Sequence, residues 1–280
     1  MRTHAVGIIG VGLIGGSIGL AALRAGYSVF LFDSADSSSF LSPDFALSVV
    51  CKTFQELVAH SDLIIIATPL SAIPEIAGNL AAIVTDRQVV SDVASVKEPV
   101  AHLLRKTLSG RCEYIPTHPM AGSERSGADA ARADLFEGAV TILCPELSDK
   151  ATAVELVTEF WKNLGARVSF STVKEHDRIV AAISHLPHLI AALLVNNASE
   201  IGSDPLSFSG PGFRDTTRIA SGSPELWAEI LCSNSESIHE QLSHFKALLD
   251  KTLALLDAQD MKQLQSLLLE AKESRDRFFS

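Results

Sequence analysis

From residue 5 to residue 171 the chain alternates between short apolar runs and longer stretches with apolar positions every three or four residues. The runs at 5–9, 27–32, 62–67, 88–93, 112–115, 139–143 and 166–171 have strand length and little polar alternation. That pattern suits strands covered on both faces. Between them, helical spacing marks 17–25, 53–60, 71–83, 97–108 and 150–164. Strands alternating with helices predict an α/β fold built on a mostly parallel, doubly wound sheet. The stretch from Asp33 to Thr53 is serine-rich, contains Pro43, and predicts no clear third strand.

After Thr172 the strand pattern stops. One long apolar helix is expected over 175–199, interrupted by a kink at Pro187, then one or two helices over 225–258 and a last one over 261–277. The change predicts two domains, 1–173 and 174–280, the second all-helical. Its leucine, valine and alanine content leaves few ways to bury its apolar faces alone, so a homodimer through the helical domain is expected.

Composition narrows the class. The chain has 280 residues, of which 47% are hydrophobic and 20% charged, enough apolar material for a large core. The net charge of −10 argues against a sequence-independent nucleic-acid binder. No run is expected to reach the length of a membrane span, and the N-terminus leads straight into a strand, so neither a membrane segment nor a signal peptide is expected. Cys51, Cys112, Cys144 and Cys232 are scattered without a Cys-x-x-Cys pair, which indicates reduced, cytoplasmic thiols and no zinc site.

The first strand runs into Gly10-Val11-Gly12-Leu13-Ile14-Gly15 and then a helix, and the second strand ends at Asp33, eighteen positions beyond Gly15. Gly10 permits the tight turn, Gly12 lets backbone approach a pyrophosphate, and Gly15 lets helix and strand pack closely. The helix N-terminus, Leu13 and Ile14 included, faces the phosphate charge. Asp33 suits a ribose 2′-hydroxyl and repels a 2′-phosphate, so NAD is expected over NADP, with Ser34 to Ser39 leaving NADP possible. A tight strand–helix turn without a ligand is the plain alternative.

Ligands of doubly wound sheets bind at the carboxyl ends of strands. Thr68-Pro69, Ser95-Val96-Lys97 and Thr117-His118 each follow a predicted strand and should converge there. His118 is fenced by Pro119 and carries a group that titrates near neutral pH. Alone it is either a solvated loop histidine or an aimed base. Further on, Ser184-His185-Leu186-Pro187-His188 sets two histidines three apart, either core residues, a pocket lining or, least favoured, a metal pair. Gly210 to Ala220 delivers Arg214 and Arg218 four apart around Asp215, a spacing suited to a carboxylate ligand or to a solvated helix start.

Five stretches together carry a resemblance: Gly-Val-Gly-Leu-Ile-Gly-Gly-Ser at 10–17, Asp-Val-Ala-Ser-Val-Lys at 92–97, His-Pro-Met-Ala-Gly-Ser-Glu at 118–124, Ser-His-Leu-Pro-His at 184–188 and Gly-Phe-Arg-Asp-Thr-Thr-Arg-Ile-Ala at 212–220. Over nearly its whole length the chain resembles the prephenate/arogenate dehydrogenases of tyrosine biosynthesis. The resemblance implies a Rossmann-type domain joined to a helical dimerisation domain. It also implies NAD-dependent oxidative decarboxylation of prephenate to 4-hydroxyphenylpyruvate. By position, His118 resembles the catalytic histidine and Ser95 the serine that bonds the ring hydroxyl near the nicotinamide. Arg218 resembles the arginine that binds a substrate carboxylate, and His188 a second substrate-contacting imidazole. Glu124, Asp215 and Trp227 resemble residues that border and gate the pocket. His188 inclines the reading to prephenate, with arogenate or dual use as the alternative. The sequence ends soon after the helical segment, so control through a fused downstream module is not expected. Two other readings compete. A β-hydroxyacid dehydrogenase would use a helical lysine instead of His118, and an NAD sensor would have no use for Ser95, His118 and Arg218 together.

Overall fold

The structure, a computed structural model, describes residues 5–34, 45–123, 125, 127–202 and 205–279. Glu124, and Ala35 to Ser39 with Pro43 of the serine-rich stretch, lie outside the described residues.

An eight-stranded sheet forms the centre, in the order β3-β2-β1-β4-β5-β6-β7-β8. Its strands are β1 (Ala5–Ile9), β2 (Ser28–Phe32), β3 (Val49–Val50), β4 (Leu63–Ile66), β5 (Val89–Asp92), β6 (Glu113–Pro119), β7 (Val140–Leu143) and β8 (Arg167–Phe170). Strands β1 to β6 pair in parallel, β7 runs antiparallel to β6, and β8 is parallel to β7. The helices between them are α1 (Leu13–Arg24), α2 (Phe54–His60), α3 (Ile73–Ala81), α4 (Glu98–Leu108) and α5 (Ala151–Asn163). They cover both faces, so two apolar clusters form. One centres on Ile8, Ile18, Leu31, Phe136 and Trp161, the other on Leu57, Ile64, Ile66, Leu80 and Leu104.

Local signals set the ends of these elements. Thr53 caps α2 by accepting from Glu56 N, and Pro74 and Pro99 stand in the first turns of α3 and α4, where no N–H is needed. Helix α1 begins at Leu13, inside the glycine motif, four residues earlier than periodicity marks it.

Two strand expectations are corrected. A third strand does exist: the two residues of β3 pair with Phe30 and Leu31 of β2, and two residues are too short for a periodic signal. His118 does not stand in a loop after its strand. β6 pairs with β5 through Pro116, then continues through Pro119 by pairing with β7, which sets His118 opposite Ile142. The continuation depends on a partner more than twenty residues away, so composition around His118 does not reveal it.

Beyond β8 come α6 (Val173–Val180), a π-helical turn (Ala181–His185), α7 (Leu186–Ser199), α8 (Pro211–Thr217) and α9 (Pro224–Ser233). Pro187 is in the first turn of α7, and the widened π turn lies just before it, where the expected kink falls. From Val173 to Ser199 the helical run is long and apolar enough, by length and composition, to cross a membrane. The expectation that no run approaches that length is therefore corrected. The run is nonetheless tied to the sheet, because His176, Asp177, His185 and His188 are buried and Asp177 accepts from backbone at the start of α4.

By compactness the chain falls into residues 1–234 and 235–280. The second unit is a pair of helices, α10 (Ser235–Asp257) and α11 (Met261–Phe279). Asp260 accepts from Gln263 N at the start of α11, and Leu248, Leu249, Leu253, Leu256, Leu268 and Leu269 are exposed.

Candidate active site

The carboxyl ends of β1, β4, β5 and β6 carry the chemistry, as the reversal of strand order between β1 and β4 requires. Gly10 has φ +92°, and a Cβ there would lie 2.6 Å from Ala67 O. A Cβ on Gly15 would lie 1.9 Å from Gly10 O, so helix and turn touch through bare backbone. Gly12 is the opposite case, with nothing among the described residues within 4 Å of such a Cβ. It opens onto a groove of about 430 Å³ lined by Gly10, Gly12, Asp33, Phe54, Thr68 and Pro69, among others. Helix α1 starts there without a side-chain cap, which leaves its first N–H groups to meet an anion. The Asp33 carboxylate accepts from Val11 N at 2.6 Å, so the end of β2 and the glycine turn hold each other. Among the described residues Thr68 Oγ1 is buried without a partner. An open space before uncapped N–H groups, a carboxylate beside it and an unpaired hydroxyl fit a dinucleotide.

A second pocket, also about 430 Å³, begins at the same helix end. Leu13 and Ile14 line it, with Ser95 after β5, His118 on β6, the segment 119–123, Ser184 and His185 from the π turn, and Trp227 on α9. His118 is 8% exposed, through this pocket. Burial, together with His176, Lys97 and His185 nearby, holds its pKa well below the usual histidine value, so the ring is neutral at neutral pH. A neutral imidazole in a pocket is equipped to accept a proton.

Behind His118 stands a polar network in which sequence reading singled out Lys97 and His185 but not His176, Asp177, Tyr114 or Asn234. His118 Nδ1 lies 2.8 Å from His176 Nε2, and His176 Nδ1 lies 2.7 Å from Asp177 Oδ1. Asp177 also accepts from Lys97 N at 2.7 Å and Glu98 N at 2.8 Å, capping α4 from α6. Lys97 is fully buried. Its ammonium donates to Asp92 and, at 2.6 Å, to Thr117 O. Tyr114 donates to the second Asp92 oxygen at 2.6 Å. Lys97 therefore does not converge on the pocket as expected, but braces β5 against β6 beneath His118. Asn234 donates to Asp177 O at 2.9 Å and to His185 Nδ1 at 3.2 Å. Desolvation lowers the pKa of His185 to about 4.

His188 is buried and stacks on Trp227 with ring centroids 3.5 Å apart, its Nδ1 without a partner among the described residues. Gly222 makes room, since a Cβ there would fall 2.7 Å from Trp227 Nε1 and 3.2 Å from His188 Cε1. Arg214 and Asp215 on α8, and Arg218 just after it, are exposed and do not line the pocket around His118. Arg214 reaches Ser209 Oγ at 3.4 Å, and α8 with its following turn packs against α7, which carries His188.

Groove and pocket together define a nucleotide-dependent enzyme, with a glycine-loop sheet and helical residues bordering a buried imidazole. The profile described as "Prephenate dehydrogenase, nucleotide-binding domain" matches residues 18–170, and "Prephenate dehydrogenase, dimerization domain" matches 172–270. The chain belongs to the prephenate dehydrogenase family. It is 31% identical to a cyclohexadienyl dehydrogenase of Zymomonas mobilis over 96% of this chain and 94% of that protein. It is 33% identical to a prephenate dehydrogenase of Bacillus subtilis over 96% of this chain and 74% of that protein. Among solved structures, prephenate dehydrogenase from A. aeolicus in complex with hydroxyphenyl propionate and NAD+ superposes with TM-score 0.91 at 27% identity, covering 99% of both chains.

Proposed function

We propose that this enzyme oxidises and decarboxylates prephenate with NAD, giving 4-hydroxyphenylpyruvate. The observation that carries the reading is a neutral, buried His118 in a pocket that shares Leu13 and Ile14 with the start of the glycine-loop helix. A bound nicotinamide would supply the hydride acceptor, held by Gly10, Gly12, Leu13, Ile14, Gly15, Asp33, Thr68, Pro69 and Ser95. Ser95 orients the ring hydroxyl and His118 accepts its proton as the carbon is oxidised. Aromatisation then drives loss of carbon dioxide, so no separate group is needed for that bond. Trp227 forms a flat wall for the ring, backed by His188 stacked behind it. Although they do not line the pocket around His118, Arg218, with Arg214 and Asp215, would bind a substrate carboxylate as the resemblance implies, and Glu124 keeps its role as a pocket-border residue by that resemblance alone. NAD is favoured over NADP because the Asp33 carboxylate, held at 2.6 Å by Val11 N, repels a 2′-phosphate.

The reading divides the chain near residue 173, in keeping with family profiles that meet between 170 and 172. The second part would dimerise through exposed apolar residues such as Ile183, Ile201, Leu253 and Leu268. A cytoplasmic setting accords with four cysteines that are all free.

Arogenate, alone or beside prephenate, is the second reading. It is favoured by the likeness to a cyclohexadienyl dehydrogenase. Initial rates at 340 nm with each substrate, and with NAD and NADP in turn, separate the two. A higher kcat/KM for arogenate would overturn the prephenate assignment.

A further inference from the structure

We propose that His176 and Asp177 are positioning residues that fix the tautomer of His118, with the proton on Nδ1 and the Nε2 lone pair turned to the pocket. Asp177 Oδ1 can only accept, so the His176 nitrogen 2.7 Å away, Nδ1, carries a hydrogen. A neutral His176 then has a bare Nε2. Burial lowers the pKa of His176 and keeps it neutral at neutral pH. The bare Nε2 accepts, so the His118 nitrogen 2.8 Å from it must donate. His118 therefore holds its hydrogen on Nδ1, and Nε2 remains as its acceptor.

The anchor of this chain is rigid. Asp177 is 2% exposed and both its oxygens are engaged by backbone N–H groups at the start of α4. Asn234 ties the backbone carbonyl of Asp177 to α9. The charged and titratable groups around the pair are Lys97 ahead of α4, Asp92 on β5, Tyr114 on β6 and His185 on the π turn. The Lys97 ammonium and the Tyr114 hydroxyl both donate to Asp92, so Lys97 joins the His118–His176–Asp177 line by its backbone N–H and its charge and not by its side-chain hydrogen bonds. When His118 takes a substrate proton on Nε2, its Nδ1–H remains bonded to His176, and the Asp177 carboxylate offsets the new charge from the far end.

This inference rests on His118 being the base of the proposed reaction, yet the tautomer can be read without turnover. Histidine-labelled ¹⁵N spectra at pH 7.5, with His118 assigned from the signals lost in His118→Asn, should give a protonated Nδ1 and a bare Nε2 for His118. Protonation at Nε2 would overturn the proposal. Kinetics supply the second arm. His176→Leu should lower kcat by roughly 10²-fold or more while KM changes by less than about threefold, the signature of a base in the wrong tautomer. In His176→Gln the amide oxygen can take the place of Nε2 and accept from Nδ1–H, so that variant should recover roughly tenfold or more of the loss. A His176→Leu enzyme within about threefold of the native kcat, or a Gln variant as impaired as Leu, would refute the positioning role. If the native protein turned over neither prephenate nor arogenate, the reaction assignment would fall while the spectrum still decided the tautomer.

Discussion

Lys97 offers the sharpest perturbation of the framework beneath the site. Its side chain is fully buried, and its ammonium is matched by Asp92 and by Thr117 O at 2.6 Å. Replacing it with Met keeps the volume and removes the charge. Asp92 then keeps the Tyr114 hydroxyl at 2.6 Å and Ala94 N at 2.9 Å but loses its counter-charge. Breaking a buried pair from one side costs about 3–5 kcal/mol, chiefly from the charge left behind. At ~2–4 °C per kcal/mol for a chain of this size, Tm should fall by roughly 10 °C. Asp92→Asn alone should cost a similar amount, while the double variant should cost clearly less than the sum, because no unpaired charge remains. Urea unfolding at pH 7.5 across the four proteins completes the cycle. There is also a functional reading. Lys97 is one of the charges that holds the pKa of His118 down, so Lys97→Met should move the acid limb of kcat/KM to higher pH. If Lys97→Met unfolds within about 1 kcal/mol of the native protein and the couplings are additive, the buried pair does not brace the site and the reasoning fails.

The remaining expectations concern pH, the aromatic wall and the substrate carboxylate. His118, His176 and His185 all have folded pKa values below the unfolded value of about 6.5, so below that pH the unfolded chain binds protons that the folded one does not. Stability should be complete above pH 6.5 and fall as pH drops below it, the His185 share being lost by about 4, by up to ~1.4 kcal/mol per pH unit for each group. A urea midpoint unchanged between pH 7.5 and 5 would contradict this. Gly222→Ala should push Trp227 off His188, altering Trp227 emission and raising KM, because the added carbon would fall 2.7 Å from the indole nitrogen. An unchanged emission spectrum would count against the close fit. Arg218→Ala should mainly raise KM and leave kcat within a fewfold, as for a residue that grips substrate equally in ground and transition states. A loss confined to kcat would remove it from carboxylate binding.

Much of the frame could be read from the chain because its determinants are local. Gly10, Gly12 and Gly15 in register with a strand and a helix need no distant partner to announce a nucleotide turn, and the groove opens before Gly12 as expected. The apolar runs mark β1, β2, β4 and β5 within a residue or two. What escaped depends on distant pairing. His118 belongs to β6 only because Ile142 stands opposite it. Lys97 reads as a helix-start lysine until Asp92 and Thr117 are brought to it. His176 and Asp177 look like an ordinary polar first turn after the Thr172 cap. Their role depends on His118, 58 positions earlier in the chain, and on backbone N–H groups about 80 positions earlier. Ser95 and His118, by contrast, do line one pocket, Ser95 just after β5 and His118 within the neighbouring β6.

The most direct test of the central claim is the rate at 340 nm with prephenate and NAD, native protein against His118→Asn, with NADH binding followed by fluorescence on both. The account expects turnover by the native enzyme. It also expects a fall in kcat on the order of 10²-fold or more in the variant, and equal NADH affinity. Native-like turnover by His118→Asn would contradict it.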